Sequence, residues 1–429
     1  MAFNDFHVDT TASDNNGGTS EGSADVSGTA GATDGTATVV LDGGSDLSGV
    51  VAGDAIRIAG ETNGINGSDI FEISSVDDGA DTVTVVQTPG TASGLTWAIG
   101  GAWATVDRSM NIVASGNKVW VKSSADYTET ATIDTVGTST APIVYEGYAT
   151  TTGDTGKATM DAGGARATNI TSSVGVNTDL YYVFKNFIFE NATGRNVNLV
   201  SWDQITCKRC EFNNSGTEGI RVRGALSCER CVAMGATDGF WNGNAGHFFG
   251  CYSHLNSSNG IQTTYGIVNS CVFVGNSGAN IRSFGGGPNN IFAVINCTLD
   301  GNGKDSTHGI ETTGIGSNTG LYANNIIYDH ATGITEANNK GELQLSLNNL
   351  LNANTADYSG ADTFSGEVTG APLFTAEGSD YSLQSGSPAK AAGMDAGELV
   401  GDGTSYVDIG GIQRQEPAGG GGLNPILGG

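Results

Sequence analysis

Short apolar runs separated by Gly, Asn, Asp and Ser extend along almost the whole chain of 429 residues. Most runs have the length of a β-strand, and several alternate between apolar and polar residues, as a strand with one buried face does. Helical spacing of apolar residues occurs once, from Trp103 to Val113, with Val106 and Met110 between them. The pattern predicts an all-β chain with one short helix.

Between residues 186 and 350 the apolar positions repeat every 20 to 29 residues. One column consists of Val197, Ile220, Phe240, Ile261, Ile281, Ile310 and Ile334. A second consists of Cys210, Cys231, Cys251, Cys271 and Cys297, continued by Asn325 and by Asn348 or Asn349. A third, three residues before the second, consists of Cys207, Cys228, Phe248, Val268 and Val294. Columns in step predict a solenoid of three short strands per coil, in which equivalent residues stack about 4.8 Å apart.

Segments on both sides of this repeat resemble the right-handed parallel β-helix proteins of the pectate-lyase-like superfamily, in particular those of phage particles. Residues 6–19 are similar to the N-terminal motif of these proteins. Residues 103–113, 116–121 and 127–129 are similar to their capping helix and first coil, with Asn117 at the usual Asp position. Residues 380–389, 408–410 and Arg414 are similar to their C-terminal motif. The resemblance implies a β-helix over residues 1–20 and 101–416, and a shared fold does not imply a shared activity.

Two segments fall outside this pattern. Residues 21–100 contain four short strand-like runs separated by Gly and Asp turns, which predicts a small antiparallel β-barrel or sandwich inserted before the cap helix. Residues 417–429 begin with a Gly-rich stretch, which predicts a flexible linker. We expect its apolar end to dock on a partner through Leu423, Pro425, Ile426 and Leu427.

The charge balance narrows the choice of partners. The chain has 45 acidic and 18 basic residues, and its net charge is −27. Binding to nucleic acid or to an anionic membrane surface requires clustered Lys and Arg, so neither is expected. The N-terminus has neither the basic nor the apolar region of a signal peptide, and no apolar run is long enough to span a membrane. We therefore expect synthesis in a cytoplasm.

Four cysteines have the spacing Cys207-x2-Cys210-x17-Cys228-x2-Cys231, which in isolation is typical of a zinc ribbon. Here the pairs are one coil apart, and the column of Cys210 and Cys231 continues with single cysteines. Buried Cys packs as a small hydrophobic residue. We expect reduced cysteines stacked in the core, with zinc and stacked disulfides as the alternatives. No metal and no cofactor are predicted.

A possible catalytic pair consists of Glu218 and Asp238, which precede Gly219 and Gly239 in adjacent coils. Coils in register would place the two carboxylates about 5 Å apart. Retaining glycosidases hold their two carboxyl groups at about this separation. Acidic residues before Gly are also common in turns, for conformational reasons alone. The pair is therefore a candidate acid and nucleophile, and turn formation is the more ordinary interpretation.

A possible binding surface lies on the outward side of the strands that carry the Ile column. It presents Arg221, Trp241, Gln262, Arg282 and Glu311 in successive coils, with Arg223 and Phe284 two residues after Arg221 and Arg282. Aromatic rings beside Arg suit a sugar that stacks on the ring and pairs its carboxylate with the guanidinium. The same residue types are favoured at protein interfaces. The sequence leaves open whether this surface binds a glycan or another protein.

Together with the resemblance, these features predict a structural protein on the surface of a tailed-phage virion, on the head or the tail. It would be a rigid scaffold, made in the host cytoplasm, that binds other virion proteins and possesses a surface suited to polysaccharide. The resemblance also implies that a homotrimer is common in this setting. The alternative is a polysaccharide lyase or hydrolase of the tailspike type.

Overall fold

The computed structural model describes residues 5–175, 178–201, 204–285, 290–302, 307–313, 319–336, 344–360, 363–393 and 408–412. Within these residues the protein has one α-helix, Val106–Ile112, and two 3-10 turns, Ile65–Gly67 and Asp78–Ala80, and its other regular elements are strands. The predicted all-β class with a single short helix is confirmed. The chain divides into two compact units, residues 1–192 with 201–205, and residues 193–200 with 206–429.

Three parallel sheets, called sheets 1, 2 and 3 below, build the coils of the solenoid. In the first unit, sheet 1 consists of Phe6–Val8, Lys118–Lys122, Ile143–Tyr148 and Tyr181–Lys185. Sheet 2 consists here of Ala158–Asp161 and Phe187–Glu190, and sheet 3 of Ala131–Ile133 and Thr168–Ser172. Phe6–Val8 pairs in parallel with Val119–Val121. The N-terminal motif thus supplies the first strand of sheet 1.

The short helix buries Val106, Met110 and Ile112 beneath the first coils. Its N-terminus is capped twice, because the Thr105 hydroxyl accepts a hydrogen bond from Arg108 N and the Glu129 carboxylate accepts one from Val106 N at 2.6 Å. Burial raises the pKa of Glu129 to about 7. The helix therefore depends on a side chain of the following coil for its cap.

The segment inserted before this helix is a closed six-stranded barrel. Its strands are Val26–Asp34, Thr38–Val40, Ala55–Ile58, Ile70–Asp77, Thr82–Val85 and Thr91–Ile99. Trp97, Phe71 and Ile56 fill its interior together with smaller apolar residues. The Asn66 side chain donates to Ile112 O at 2.9 Å. Of the two predicted alternatives, the barrel is the one that forms, and it contacts the cap helix directly.

The second unit repeats one coil pattern along its length. Its part of sheet 1 consists of Gln204–Lys208, which crosses the division between the units, Ala225–Glu229, Ala245–Phe249, Tyr265–Asn269, Ile291–Ile295, Thr319–Ala323, Gln344–Leu347 and Thr363–Ser365. Its part of sheet 2 consists of Glu211–Asn213, Val232–Met234, Tyr252–His254, Val272–Val274, Thr298–Asp300, Ile326–Tyr328 and Leu350–Asn352. Its part of sheet 3 consists of Arg195–Leu199, Glu218–Val222, Asp238–Asn242, Ile261–Thr263, Ala279–Ser283, His308–Thr312, Thr332–Glu336 and Ala356–Ser359.

The predicted apolar columns coincide with the observed register. Val197 pairs with Ile220, Ile220 with Phe240, and the column continues in step to Ile334. The glycine before each of several column residues has a steric reason. A Cβ on Gly219 would lie 2.6 Å from Gly239 O in the next coil. The recurring step from Gly to an apolar residue therefore reflects close approach of adjacent coils.

The cysteine column forms one turn of the coil and is called the turn column: Cys210, Cys231, Cys251, Cys271, Cys297, Asn325 and Asn349. Cys231 Sγ donates to Cys207 O at 3.4 Å, and Cys251 Sγ donates in the same way to Cys228 O. Asn325 Nδ2 donates to the equivalent carbonyl, Val294 O, at 2.9 Å. The seven cysteines are buried, and none of them forms a disulfide. Cysteine and asparagine thus make equivalent hydrogen bonds in successive coils.

A second polar column lines the next turn and is called the asparagine column: Asn256, Asn276, His330 and Asn354. The asparagine side chains accept hydrogen bonds from the backbone of the preceding coil. Asn256 Oδ1 accepts from Ala236 N, and Asn354 Oδ1 accepts from His330 N, both at 3.0 Å. Burial lowers the pKa of His330 to about 4. These contacts satisfy turn groups that water does not reach.

The C-terminal motif lies against the outer face of sheet 2. Its strands Phe374–Ala376 and Asp380–Leu383 pair antiparallel, and Tyr381 donates a hydrogen bond from its hydroxyl to Asp300 Oδ2 at 2.6 Å. Phe374, Ala389 and Ile409 cover Val272 and neighbouring residues of the sheet. Arg414 and the predicted docking residues Leu423, Pro425, Ile426 and Leu427 lie outside the described residues.

Candidate functional site

Glu218 and Asp238 are directly paired on adjacent strands of sheet 3, as their spacing predicted. Glu218 is 8% exposed, and two arginines contact its carboxylate. Arg195 Nε lies 2.7 Å from Glu218 Oε2, and Arg221 Nη1 lies 3.3 Å from Glu218 Oε1. Both carboxylate oxygens are therefore engaged by guanidinium groups, which makes Glu218 the centre of an ion-pair network.

Asp238 has a different environment although it occupies the same column. Asp238 Oδ1 accepts hydrogen bonds from Asn259 N at 3.0 Å and from Asn259 Nδ2 at 2.8 Å. Asn259 follows in the next coil and in turn accepts from Ala279 N at 3.0 Å. These contacts are those of a turn-forming carboxylate. They favour the structural interpretation of Asp238 over a catalytic one.

Next to this pair lies a row of paired outward residues, called the outer ladder: Asn198, Arg221, Trp241, Gln262, Arg282, Glu311 and Thr335. Arg221 Cζ lies 4.5 Å from the centroid of the Trp241 ring. The rings of Trp241 and Phe284 stack with centroids 5.6 Å apart and an interplanar angle of 25°. Arg221, Trp241 and Phe284 thus form one continuous stack.

The remaining predicted residues extend this surface. Arg282 Nε lies 3.4 Å from Glu311 Oε2. Arg223 is exposed just beyond the end of the strand Glu218–Val222, whereas Trp241, Phe284 and Arg282 are half-buried. The structure therefore brings all five predicted binding residues to the same face of sheet 3. What they form is an aromatic platform flanked by guanidinium groups.

Two residues that the sequence analysis missed complete the arrangement. Arg195 pairs with Glu218 from the preceding coil, and Asn259 pairs with Asp238 from the following one. Each stands two positions before a residue of the Ile column, Val197 and Ile261 respectively. The signal was thus present in the repeat, since Glu218 and Asp238 occupy the same position in their own coils.

A second aromatic and basic cluster occurs on sheet 1 of the first unit. Lys118 Nζ lies 3.2 Å from the centroid of the Trp120 ring and 3.1 Å from Glu146 Oε2, which Lys185 also contacts at 3.3 Å. Burial opposes ionisation of Glu146, but the two ammonium groups hold its pKa below the ordinary value. The charged groups of this cluster are thus paired with one another.

Among the described residues, no group of three or more His, Cys, Asp or Glu side chains could hold a metal ion. Burial raises the pKa of the Cys228 and Cys251 thiols well above the ordinary value, which disfavours the thiolate form that a metal would need. Within the same residues no helix is long and apolar enough to cross a membrane.

Comparison with known proteins gives similarity at the level of structure. No protein family model matches the chain, and no curated protein matches it. The crystal structure of pectate lyase Pel9A is similar over 73% of this chain and 92% of that one, with a TM-score of 0.50 and 15% identity. The chain has a pectate-lyase-like parallel β-helix fold. The tailspike protein gp49 from Pseudomonas phage LKA1 aligns over 82% of this chain and 66% of that one, with 12% identity and a TM-score of 0.21.

The β-helix fold explains why the outer ladder is held so regularly. Adjacent strands of sheet 3 hydrogen-bond in register, so each outward side chain is fixed about 4.8 Å from its neighbours in the next coils. The backbone cannot adjust one rung without disturbing those on either side. A binding surface built on such strands is therefore rigid before any ligand arrives, which reduces the entropic cost of binding.

Proposed function

We propose that this chain is a structural protein on the surface of a tailed-phage virion and that the outer ladder of sheet 3 binds acidic polysaccharide without cleaving it. The single observation that carries the binding role is the continuous stack of Arg221, Trp241 and Phe284. A stacked aromatic pair offers a flat apolar surface to a sugar ring, and the flanking guanidinium groups suit sugar carboxylates.

A binding role fits the state of the two carboxylates better than catalysis does. General acid catalysis and nucleophilic attack both require a carboxyl group that can reach the glycosidic bond. Glu218 is 8% exposed and bound by Arg195 and Arg221, and Asp238 is bound by Asn259. The arginines therefore position each other around Glu218 and present their remaining donors to a ligand.

The location on a virion rests on different support. The N-terminal and C-terminal motifs resemble those of phage β-helix proteins, and the inserted barrel supplies a compact module that could contact another virion protein. The peptide with Leu423, Pro425, Ile426 and Leu427 remains the predicted docking segment. A homotrimer also remains a prediction, as does synthesis in the host cytoplasm.

Two experiments test the two parts of this proposal. Quantitative mass spectrometry of purified virions should find the chain at a fixed ratio to the major capsid protein, and its absence from particles would refute the virion role. A carbohydrate array of acidic and neutral polysaccharides should show binding that Trp241→Ala abolishes. Trp120→Ala is the matched control, because Trp120 is also a half-buried aromatic next to a basic residue but lies on sheet 1.

A polysaccharide lyase or hydrolase is the second candidate. The observation that favours it is the direct pairing of Glu218 with Asp238 on adjacent strands, at a separation that suits retaining glycosidases. Incubation with the polysaccharides that bind on the array would release new reducing ends or unsaturated products if the chain were such an enzyme. Loss of that release in Glu218→Gln and Asp238→Asn would then replace the binding role with a catalytic one.

A further inference from the structure

Part of the outer face of sheet 1 in the second unit is free of charged residues, although the two strands before it carry the ion pair of Lys208 and Glu229. Five successive strands, from Ala245–Phe249 to Gln344–Leu347, point fourteen side chains outward, because the alternate positions are buried in the solenoid. None of the fourteen is Asp, Glu, Lys or Arg. This surface, called the sheet 1 face, consists of Ala245, His247, Phe249, Tyr265, Ile267, Asn269, Ile291, Ala293, Ile295, Thr319, Leu321, Ala323, Leu345 and Leu347.

The sheet 1 face has a ridge next to a hollow. Ile291 is 60% exposed, Ile267 is 42% exposed and Phe249 is 40% exposed, so these side chains project from the sheet. Ala293 and Ala323, which also point outward, are 4% and 7% exposed because their neighbours are larger. Large projecting apolar side chains therefore border a groove floored by methyl groups.

Sheet 2 shows how the chain treats an apolar outer face elsewhere. There the C-terminal motif covers the strands, and Val272 and Val274 are only 7% and 3% exposed although they belong to the outer layer. Among the described residues, no segment lies over Ile267 or Ile291 in the same way. An uncovered apolar face of this kind indicates an interaction surface.

We propose that the sheet 1 face binds the same face of a second copy of this chain around a two-fold axis. With a net charge of −27, two copies repel each other, and an uncharged face is where they can meet without burying a charge. A basic partner would instead be recognised through carboxylates, and this face has none. A ridge beside a hollow on one surface is also self-complementary, since a two-fold axis places each ridge over the other copy's hollow.

The size of the face sets the expected strength. Five strands about 4.8 Å apart, with about five residues of 3.3 Å each, give a footprint of roughly 400 Å². A standard stable interface uses about 800 Å² on each partner. The dimer is therefore weak, with a dissociation constant on the order of micromolar or above. Added salt strengthens it, because screening removes the repulsion between the acidic copies.

Sedimentation velocity on the full chain tests this proposal. We expect a monomer–dimer equilibrium whose dissociation constant falls as NaCl is raised. Ile291→Glu and Ile267→Glu each increase that constant at least tenfold, because they bury a charge in the contact. Val51→Glu is the matched control, since Val51 is a 54% exposed valine of the inserted barrel, and it leaves the constant unchanged. Ile291 and Ile267 are exposed, so the variants keep the circular dichroism spectrum of the native chain.

A charge-swap experiment separates a direct contact from an indirect effect. Ile291→Glu on the ridge and Ala293→Lys in the hollow are each monomeric alone, and an equimolar mixture of the two variants regains the dimer, because the two-fold axis places the ridge of one copy over the hollow of the other. A native chain that stays monomeric at high salt and at concentrations of about 100 µM overturns the proposal. A dimer that Ile291→Glu leaves intact also overturns it. So does the homotrimer that the resemblance implies, because a trimer would require two different faces to meet. Glycan binding by the outer ladder is unaffected by either result, since it lies on sheet 3.

Discussion

The turn column inside the β-helix and the outer ladder on its surface share one period but follow different rules. Inside, Cys251 Sγ and Asn349 Nδ2 donate to equivalent carbonyls of the preceding coil, Cys228 O and Tyr322 O, at 3.4 Å and 2.9 Å. Outside, successive rungs hold Arg221, Trp241 and Gln262, and each makes a different contact. A repeated interior environment selects repeated chemistry, whereas at a repeated surface position the side chain can differ from coil to coil.

The substitution that should destabilise the turn column most is Asn325→Ala. Asn325 is fully buried, and it accepts from Cys297 N at 2.8 Å and donates to Val294 O at 2.9 Å and to Asn349 Oδ1 at 3.0 Å. Removing the amide leaves buried partners unsatisfied, so we expect a loss of about 3–4 kcal/mol in the free energy of unfolding. Urea denaturation measures it.

The control for this substitution is Asn269→Ala, on the outward side of sheet 1. Asn269 is half-buried, and its side chain accepts a hydrogen bond from Ser270 Oγ. We expect this change to cost less than about 1 kcal/mol. Equal losses for the two variants would show that buried hydrogen bonds do not govern the turn column.

The histidine in the asparagine column gives the interior a pH dependence. Burial lowers the pKa of His330 to about 4, whereas the unfolded chain binds that proton near pH 6.5. Its stabilising contribution is therefore complete above pH 6.5 and is lost as the pH falls to about 4, by about 3 kcal/mol in total. The pH profile of unfolding should be flatter for His330→Asn than for the native chain over that range, and superimposable profiles would contradict this.

A smaller loss is expected for the cysteines of the columns. Cys210→Ala and Cys228→Ala each leave a small cavity and remove a weak thiol contact, which we expect to cost about 1–2 kcal/mol. Neither variant nor native chain should respond to a chelator. Thermal denaturation with and without EDTA makes the comparison, and one equivalent of zinc in the purified protein would show that the cysteines bind metal.

The smallest effect on stability is expected on the outer ladder. Trp241 is half-buried and contacts Arg221 and Phe284. Trp241→Ala should therefore cost about 1 kcal/mol in stability, while polysaccharide binding is lost. Asn325→Ala should do the opposite of Trp241→Ala. It should lower the free energy of unfolding and leave the affinity of the outer ladder for polysaccharide unchanged in the folded protein.

Much of the fold could be predicted from the sequence because the interior repeats. The columns of Ile220 and Cys231 appear in every coil, and their register in the structure is the one that the spacing predicted. The adjacency of Glu218 and Asp238 followed from the same repeat. The repeat also places Arg195 and Asn259 in the coils next to the two carboxylates. What the sequence could not show is how each carboxylate is used, because that depends on the side-chain conformations that join Arg195 to Glu218 and Asn259 to Asp238.

The ends of the inserted barrel meet where the chain leaves and rejoins the first coil. Gly17 N donates to Gly100 O at 2.7 Å, and a Cβ on Gly17 would lie 2.1 Å from Ala55 O. An insertion whose two ends touch can be deleted or exchanged as a block, because the host fold needs no rerouting to close the gap. The β-helix can therefore acquire a different N-terminal module in one genetic step, which makes it a scaffold suited to rapid diversification.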